Sequence, residues 1–490
     1  MTAPDRNGIS LRSAAGHPRE IGVTENTEMT AKIRNSKPVP SKAEGFQIRN
    51  SRRNGGFIFS SLFLLSIFTA GSAAESIAIR AGNILTISGG VIEKGTILVE
   101  DGKIKALGQE VVVPDGARVI DAKDKYVAPG LVDAQSRLYV IDGELNEGRA
   151  IAPELDILDA VDPFIKECQE VLAEGVTAIY VAPGNRGLLG GLGAILRLSG
   201  AKTAKEMVLK TNVAVKGAIG ISRSNESSSL ARLENYSSIR EALLETQTYM
   251  QQKRKYGQEM AEYEKKKAEK KEQAKSDDQQ ADKGDPASQG AKDKPTRPAK
   301  PRTNPTYEVL ARVLGKEIPL QIEAHRAEDI LNALRLADEF DLCLILDKCT
   351  EGYKVADQIA RRKVPVIAGP ISTSFLDMPA LEYRNHDTRN AAILSKKGVK
   401  VALGVAGRDG ASSKFIALAA AMAVASGMDR HAALRAITLT PAEIFGVADR
   451  IGSLEVGKDA DMVIFRSHPL DAFAQVEMVL IEGKIVYERK

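Results

Sequence analysis

Between residues 129 and 447, short apolar, β-branched runs alternate with helix-like stretches, and this alternation constrains the fold more than any other feature. The strand-like runs include Thr177 to Val181, Leu320 to Ala324, Leu342 to Leu346, Val364 to Ile367 and Val399 to Leu403. Ala327 to Phe340 and Gly352 to Arg362 carry helical patterning between them. Parallel strands need long crossovers, usually helical, so this rhythm predicts an α/β fold with a parallel sheet. Its length suits a closed (β/α)8 TIM barrel. A doubly wound open sheet is the alternative with the same rhythm.

Both flanks of this region have a different texture. From Ser76 to Val127 there are short strands and tight turns, with Glu100-Asp101-Gly102-Lys103 between apolar runs, a strong hairpin signal. The C-terminus repeats the style in Asp461 to Phe465, Val479 to Ile481, the turn Glu482-Gly483-Lys484, and Ile485 to Tyr487. The two ends are therefore expected to build one small composite β-sandwich from residues 75–128 and 448–490, around a barrel at 129–447.

One insertion, 237–306, interrupts the barrel. Ser237 to Lys275 is rich in Ala, Glu, Lys and Gln and reads as an exposed helix with pairs such as Glu262 and Lys266. Two roles suit it, a solvated arm or an element for docking and self-association. Residues 276–306 lack apolar periodicity and are expected to be disordered.

The most specific motif lies near the C-terminus: Thr438-Leu439-Thr440-Pro441-Ala442-Glu443-Ile444-Phe445-Gly446, then Gly452-Ser453-Leu454-Glu455-Val456-Gly457-Lys458-Asp459-Ala460-Asp461. With Asp101-Gly102 and the run Ala128-Pro129-Gly130-Leu131-Val132-Asp133, it resembles the metal-dependent amidohydrolase superfamily, closest to the imidazolonepropionase-like branch. The resemblance spans residues 76–490 apart from the insertion. It implies a TIM barrel with a composite sandwich, and a hydrolase acting on non-peptide carbon–nitrogen bonds.

It also implies a metal site that this sequence has lost. Relatives carry His-x-His where this chain has Gln135-Ser136-Arg137, and Arg offers no lone pair to a metal. The strand-five histidine matches His325, and the strand-six position falls in Asp347-Lys348-Cys349 without a histidine. The strand-eight acid is represented by Asp409, a few residues late, beside Arg408. Asp409 and His325 are thus the catalytic candidates, with Gln135, Arg137, Asp347, Lys348, Cys349 and Arg408 expected around a pocket mouth. No cofactor is expected. His325 is the one surviving candidate ligand for a divalent metal such as zinc, and a hydrogen-bonded pocket histidine is its plainer reading. Cys349 beside His325 suggests a thiolate nucleophile, against the alternative of a structural cysteine. Arg137 suits either a substrate carboxylate or a pairing with Asp347. Two functions remain open: a hydrolase with a remodelled site, and a non-catalytic relative that binds a small molecule in the barrel mouth or serves as a subunit of a homo- or hetero-oligomer.

Residues 1–74 hold ten Lys and Arg against five Asp and Glu, so the remainder is close to neutral and has no basic field for nucleic acid. Arg52 and Arg53 precede an apolar run from Phe57 to Ala70 and the small residues Gly71-Ser72-Ala73-Ala74. This reads as a signal peptide cleaved near Ala74, giving a periplasmic or secreted protein with no stable anchor after cleavage. An uncleaved anchor and a buried helix are the alternatives, and translation starting at Met29 or later would shorten the extension. Cys343 and Cys349 lie roughly 20 Å apart along an extended strand, too far for a disulfide. Export predicts that N-terminal sequencing of the soluble, secreted protein starts near Glu75. A secreted chain retaining residues before Phe57 would refute it.

Overall fold

The two ends of the chain meet in a single sheet. In the computed structural model, which describes residues 76–140, 149–184, 188–220, 229–278, 296–371, 382–405 and 410–490, this sheet has seven strands in the order β17-β16-β15-β4-β1-β2-β3. They are β1 (Ile77–Leu85), β2 (Val91–Glu100), β3 (Lys103–Gly108), β4 (Arg118–Pro129), β15 (Met462–Phe465), β16 (Val476–Ile481) and β17 (Lys484–Glu488). Both predicted turns are present. Asp101 and Gly102 take φ of 51° and 75°, and Glu482 and Gly483 take 49° and 72°, the positive pair that two-residue hairpins favour. Ile79, Ile97, Val127, Met462 and Leu480 form a shared core, so strands from both ends bury one another. The proposed signal segment lies outside the described residues.

The central region forms two further sheets. One runs β14-β13-β12-β11-β10-β7 and the other β5-β6-β8-β9. Their members are β5 (Leu131–Ser136), β6 (Val176–Val181), β7 (Leu189–Leu192), β8 (Ala194–Arg197), β9 (Val208–Lys210), β10 (Val215–Ala218), β11 (Leu320–Ala324), β12 (Leu344–Lys348), β13 (Val366–Ala368) and β14 (Val401–Leu403). From β10 to β14 the pairings are parallel and the strands are buried, as the apolar runs predicted. The Gly-rich stretch after β6 supplies β7 and leads directly into β8, and β7 pairs β10 and β8 pairs β6 antiparallel. Glycine is required there: a Cβ on Gly193 would sit 2.3 Å from the Tyr180 hydroxyl, and one on Gly191 would sit 2.4 Å from the Leu155 carbonyl.

The insertion begins as a helix, Ser229–Asp278, eight residues earlier than the pattern indicated. Its first half is seated: Ile239 and Leu243 are fully buried, and Arg240 pairs with Glu339 at 2.6 Å. Beyond Tyr249 the side chains described are mostly exposed. The expected disorder up to 306 ends sooner, because Asn304 caps a helix, Pro305–Leu314, by accepting the Thr306 N–H at 3.0 Å. Among the described residues no helix is long and apolar enough to cross a membrane.

Arg197 ties the central strands to the terminal sheet. Its guanidinium, 5% exposed, donates to Asp459 at 2.7 Å, to Asp461 at 2.9 Å and to Glu482 at 2.5 Å. The Gly457 to Asp461 turn therefore supplies the anionic half of a buried clamp, which gives this part of the motif a physical role. Removing one partner of a buried ion pair typically costs about 3–5 kcal/mol. Arg197→Met is expected to lose stability of that order, with hydrogen exchange accelerating in β15 to β17 before β11 to β13. Uniform exchange across both groups of strands would show that the clamp does not hold the sheet on.

Candidate functional site

The C-terminal ends of β5, β11 and β12, together with Lys216 of β10, converge on a buried network of charged and polar side chains. At its centre is Asp347, the penultimate residue of β12, 1% exposed. Its Oδ2 accepts from the Lys216 ammonium of β10, while Oδ1 accepts from the Gln135 side-chain amide of β5 and, at 2.9 Å, from the Lys348 backbone N–H. Lys216 also lies 3.2 Å from Glu323 of β11. Glu323 in turn takes the His325 Nε2 at 3.2 Å. A carboxylate only accepts, so Nε2 carries the proton of that bond, and Nδ1, 2.8 Å from the Thr350 hydroxyl, is its natural acceptor. The Tyr383 ring meets the imidazole edge to face at 4.8 Å.

Burial sets the electrostatics. It lowers Lys216 to about 8 despite the pull of Glu323, with Lys348 and Arg137 adding repulsion. Lys348 is likewise lowered to about 8, by burial first and then Arg137, against the attraction of Glu323 and Asp133. Burial alone would raise Glu323, but the Lys216 charge and the His325 hydrogen bond hold it well below the usual range.

A second cluster fixes β5. Burial raises the Asp133 carboxyl, which accepts from the Ser413 hydroxyl at 2.6 Å, from Gln135 N–H at 3.0 Å and from Val405 N–H at 3.4 Å. Ser136 bonds Ser413 at 2.8 Å. The Asp of the Pro-Gly-Leu-Val-Asp run thus fastens β5 to the segment after β14.

Of the residues expected at the site, Gln135, Asp347, Lys348 and His325 belong to the network, and the Arg137 charge acts on both of its lysines. Asp347 pairs with Lys216, whereas pairing with Arg137 was one of the two roles open to that arginine. Cys349 is fully buried in the hydrophobic core and burial pushes its thiol far up, which favours the structural alternative over the thiolate. Arg408 and Asp409 lie outside the described residues. Sequence reasoning missed Lys216, Glu323, Thr350 and Tyr383. A lysine inside the short apolar run Val213-Ala214-Val215-Lys216-Gly217-Ala218 was the available signal, since an unpaired charge there would be costly.

The metal implied by the resemblance does not fit these residues. A catalytic zinc ordinarily takes three protein ligands plus an open position. Here both oxygens of Asp347 and of Glu323 are engaged with protein donors, while His325 donates through Nε2 to Glu323 and accepts from Thr350 through Nδ1. Among the described residues no group of three His, Cys, Asp or Glu side chains could hold an ion.

Comparison with known proteins agrees with the architecture. The Amidohydrolase family profile matches residues 323–486. The structure of an amidohydrolase from Thermotoga maritima MSB8 is 29% identical, with a TM-score of 0.70 over 84% of this chain and 100% of that one. A prolidase structure complexed with n-methylphosphonate-l-proline is 16% identical at a TM-score of 0.50, a likeness of fold alone. Curated relatives match over short stretches. Amidohydrolase tasK of Hapsidospora irregularis is 34% identical over 77 residues, 16% of this chain and 8% of its own length. A dihydroorotase of Geobacter sulfurreducens is 41% identical over 63 residues, 13% of this chain and 15% of its own length. The matched segment thus spans only a small part of these curated relatives.

Lys216→Met would leave Glu323 and Asp347 buried without their ammonium partner. The expected loss is about 3–5 kcal/mol in denaturant unfolding near neutral pH, shrinking in acid where the carboxylates take up protons. A loss below about 1 kcal/mol, the scale of an exposed pair, would show that the network carries little.

Proposed function

The chain belongs to the amidohydrolase superfamily, and from that premise we propose that its barrel mouth is a small-molecule site in which protein ammonium groups stand where relatives carry metal. The observation that carries this reading is Lys216, seated between Glu323 and Asp347. With Lys348 alongside, two side-chain cations face two carboxylates, so the strand ends need no bound ion to balance their charge. Arg137 leaves the mouth suited to an organic anion, since a guanidinium pairs well with a carboxylate.

Superfamily membership supports a hydrolase of the amidohydrolase type, which for this chain means a non-peptide carbon–nitrogen bond acted on without a metal. His325, oriented by Glu323 and Thr350, is the group available for proton transfer in that second reading. The imidazolonepropionase-like branch, export through a cleaved signal and a role as an oligomer subunit belong to the same proposal. So do the closed barrel and the composite sandwich. Barrel closure is supported at one seam by the mutual hydrogen bonds of Gly193 with Val213 and Ala214, and at the other by Asp133 binding Val405 N–H.

Elemental analysis of the purified protein is expected to find zinc, manganese, nickel and iron well below one per chain, with the melting temperature unchanged by a chelator. Near-stoichiometric metal, with hydrolysis lost on chelation and regained on its return, would replace this proposal with metal-assisted hydrolysis.

A further inference from the structure

Asp347 and Lys348 are neighbours on one strand, yet both contact Gln135. Consecutive strand residues normally face opposite sides of the sheet, so Lys348 ought to point away from the network. A backbone bend turns it back. Lys348 and Cys349 are successive non-glycine residues in the left-handed region, with φ of 62° and 48°. Such conformations each cost on the order of 1–3 kcal/mol and persist where the surroundings enforce them. The enforcement is visible: Asp347 accepts Lys348 N–H through its side chain and Cys349 N–H through its carbonyl, at 2.9 and 2.8 Å. Asn390, in the helix Asn390–Lys396, donates to the Cys349 carbonyl at 2.9 Å and accepts Tyr353 N–H at 2.8 Å.

The bend delivers an amine with unusual company. Lys216 is held by two carboxylates, whereas the hydrogen-bond partner of the Lys348 ammonium among the described residues is the neutral Gln135 amide oxygen, at 3.3 Å. The charged groups acting on it are Glu323 from β11, Lys216 from β10, Asp133 from β5 and Arg137 just beyond β5. Lys348 is partly exposed, as are its neighbours Gln135 and Arg137.

We infer that Lys348 is an amine nucleophile that forms an imine with a carbonyl compound carrying a carboxylate, the carboxylate being held by Arg137. The neutral amine adds its lone pair to the carbonyl carbon, and the carbonyl oxygen takes up a proton to give a carbinolamine. The new C–N bond then becomes double as the hydroxyl leaves, protonated, as water. Overall an ammonium and a carbonyl become an iminium and one water, with no oxidant or reductant. Burial beside other cations is a general way to activate a lysine for this chemistry. The inference rests on the metal-free reading and adds a reaction to it.

The test uses the whole protein with pyruvate as probe and cyanoborohydride to reduce any imine, followed by peptide mass spectrometry. At about pH 7.5, a lysine with its pKa near 8 has far more free amine than an exposed one near 10.4. The adduct is therefore expected at Lys348 at least about tenfold above any exposed lysine, above Lys216 because two carboxylates hold that ammonium, and absent in Lys348→Arg. Arg137→Gln should cut trapping of pyruvate several-fold and leave trapping of acetaldehyde unchanged. In the unmutated protein, competitive acetylation of Lys348 should rise with a midpoint near 8, a readout that needs no variant to fold. Adducts spread over exposed lysines, modification of Lys216 in place of Lys348, or a midpoint above 10 would overturn the imine. An Arg137→Gln variant that trapped pyruvate normally would overturn the carboxylate contact. Metal analysis of the same sample separates the two levels, since stoichiometric metal sinks the metal-free reading, and a metal-free protein that traps nothing sinks only the imine.

Discussion

Ionised groups taken out of water must neutralise one another, and that requirement shapes both buried centres of this molecule. At an effective dielectric of about 20, unit charges 4 Å apart attract by about 4 kcal/mol, whereas leaving one alone in the interior costs several. Lys216 meets the requirement at the strand ends by serving Glu323 and Asp347 together. Arg197 meets it at the junction of the sheets by serving Asp459, Asp461 and Glu482. In each case one cation collects carboxylates from distant parts of the chain, so the ions act as tertiary fasteners.

At the strand ends this solution restricts chemistry as well as structure. A dication would need carboxylates and imidazoles with lone pairs turned inward, but those lone pairs are already committed to Lys216, Gln135, Thr350 and Lys348 N–H. Displacing Lys216 to free them would bury an unpaired ammonium. Lys216 thus supplies the positive charge these two carboxylates need, and the group left with a neutral partner, Lys348, is an amine.

The fold was largely legible because it follows from periodicity and turn chemistry. The apolar runs at Leu320 to Ala324 and Leu342 to Leu346 became β11 and β12 within two residues, and Asp101-Gly102 and Glu482-Gly483 formed the turns their residue types demand. The β pairing of the Gly-rich stretch was not legible, because it is set by close approach to Tyr180 and Leu155, contacts that no local pattern reveals. The site was only half legible for a similar reason. The motif marked Gln135, Arg137, His325 and Asp347, but the Lys216 partnership joins residues 131 positions apart. The bend at Lys348 and Cys349 had no signal either, since neither residue type advertises positive φ.

The same network explains how so long an insertion is accommodated. β10 and β11 pair in register from Val215 with Leu320 to Ala218 with Glu323, although the insertion separates them in sequence. Loop-closure entropy grows only logarithmically with length, so the extra residues weaken this pairing modestly, provided that the two strands have a strong reason to stay together. Lys216 on β10 and Glu323 on β11 supply it, 3.2 Å apart and sealed from water. Near the base of the insertion, Tyr249 and Lys253 of the long helix both bind Glu308 of the following one, closing the excursion a second time. The charged arm beyond them can therefore vary in length and composition without disturbing the site, because the ions that define the site also close the strands from which the arm departs.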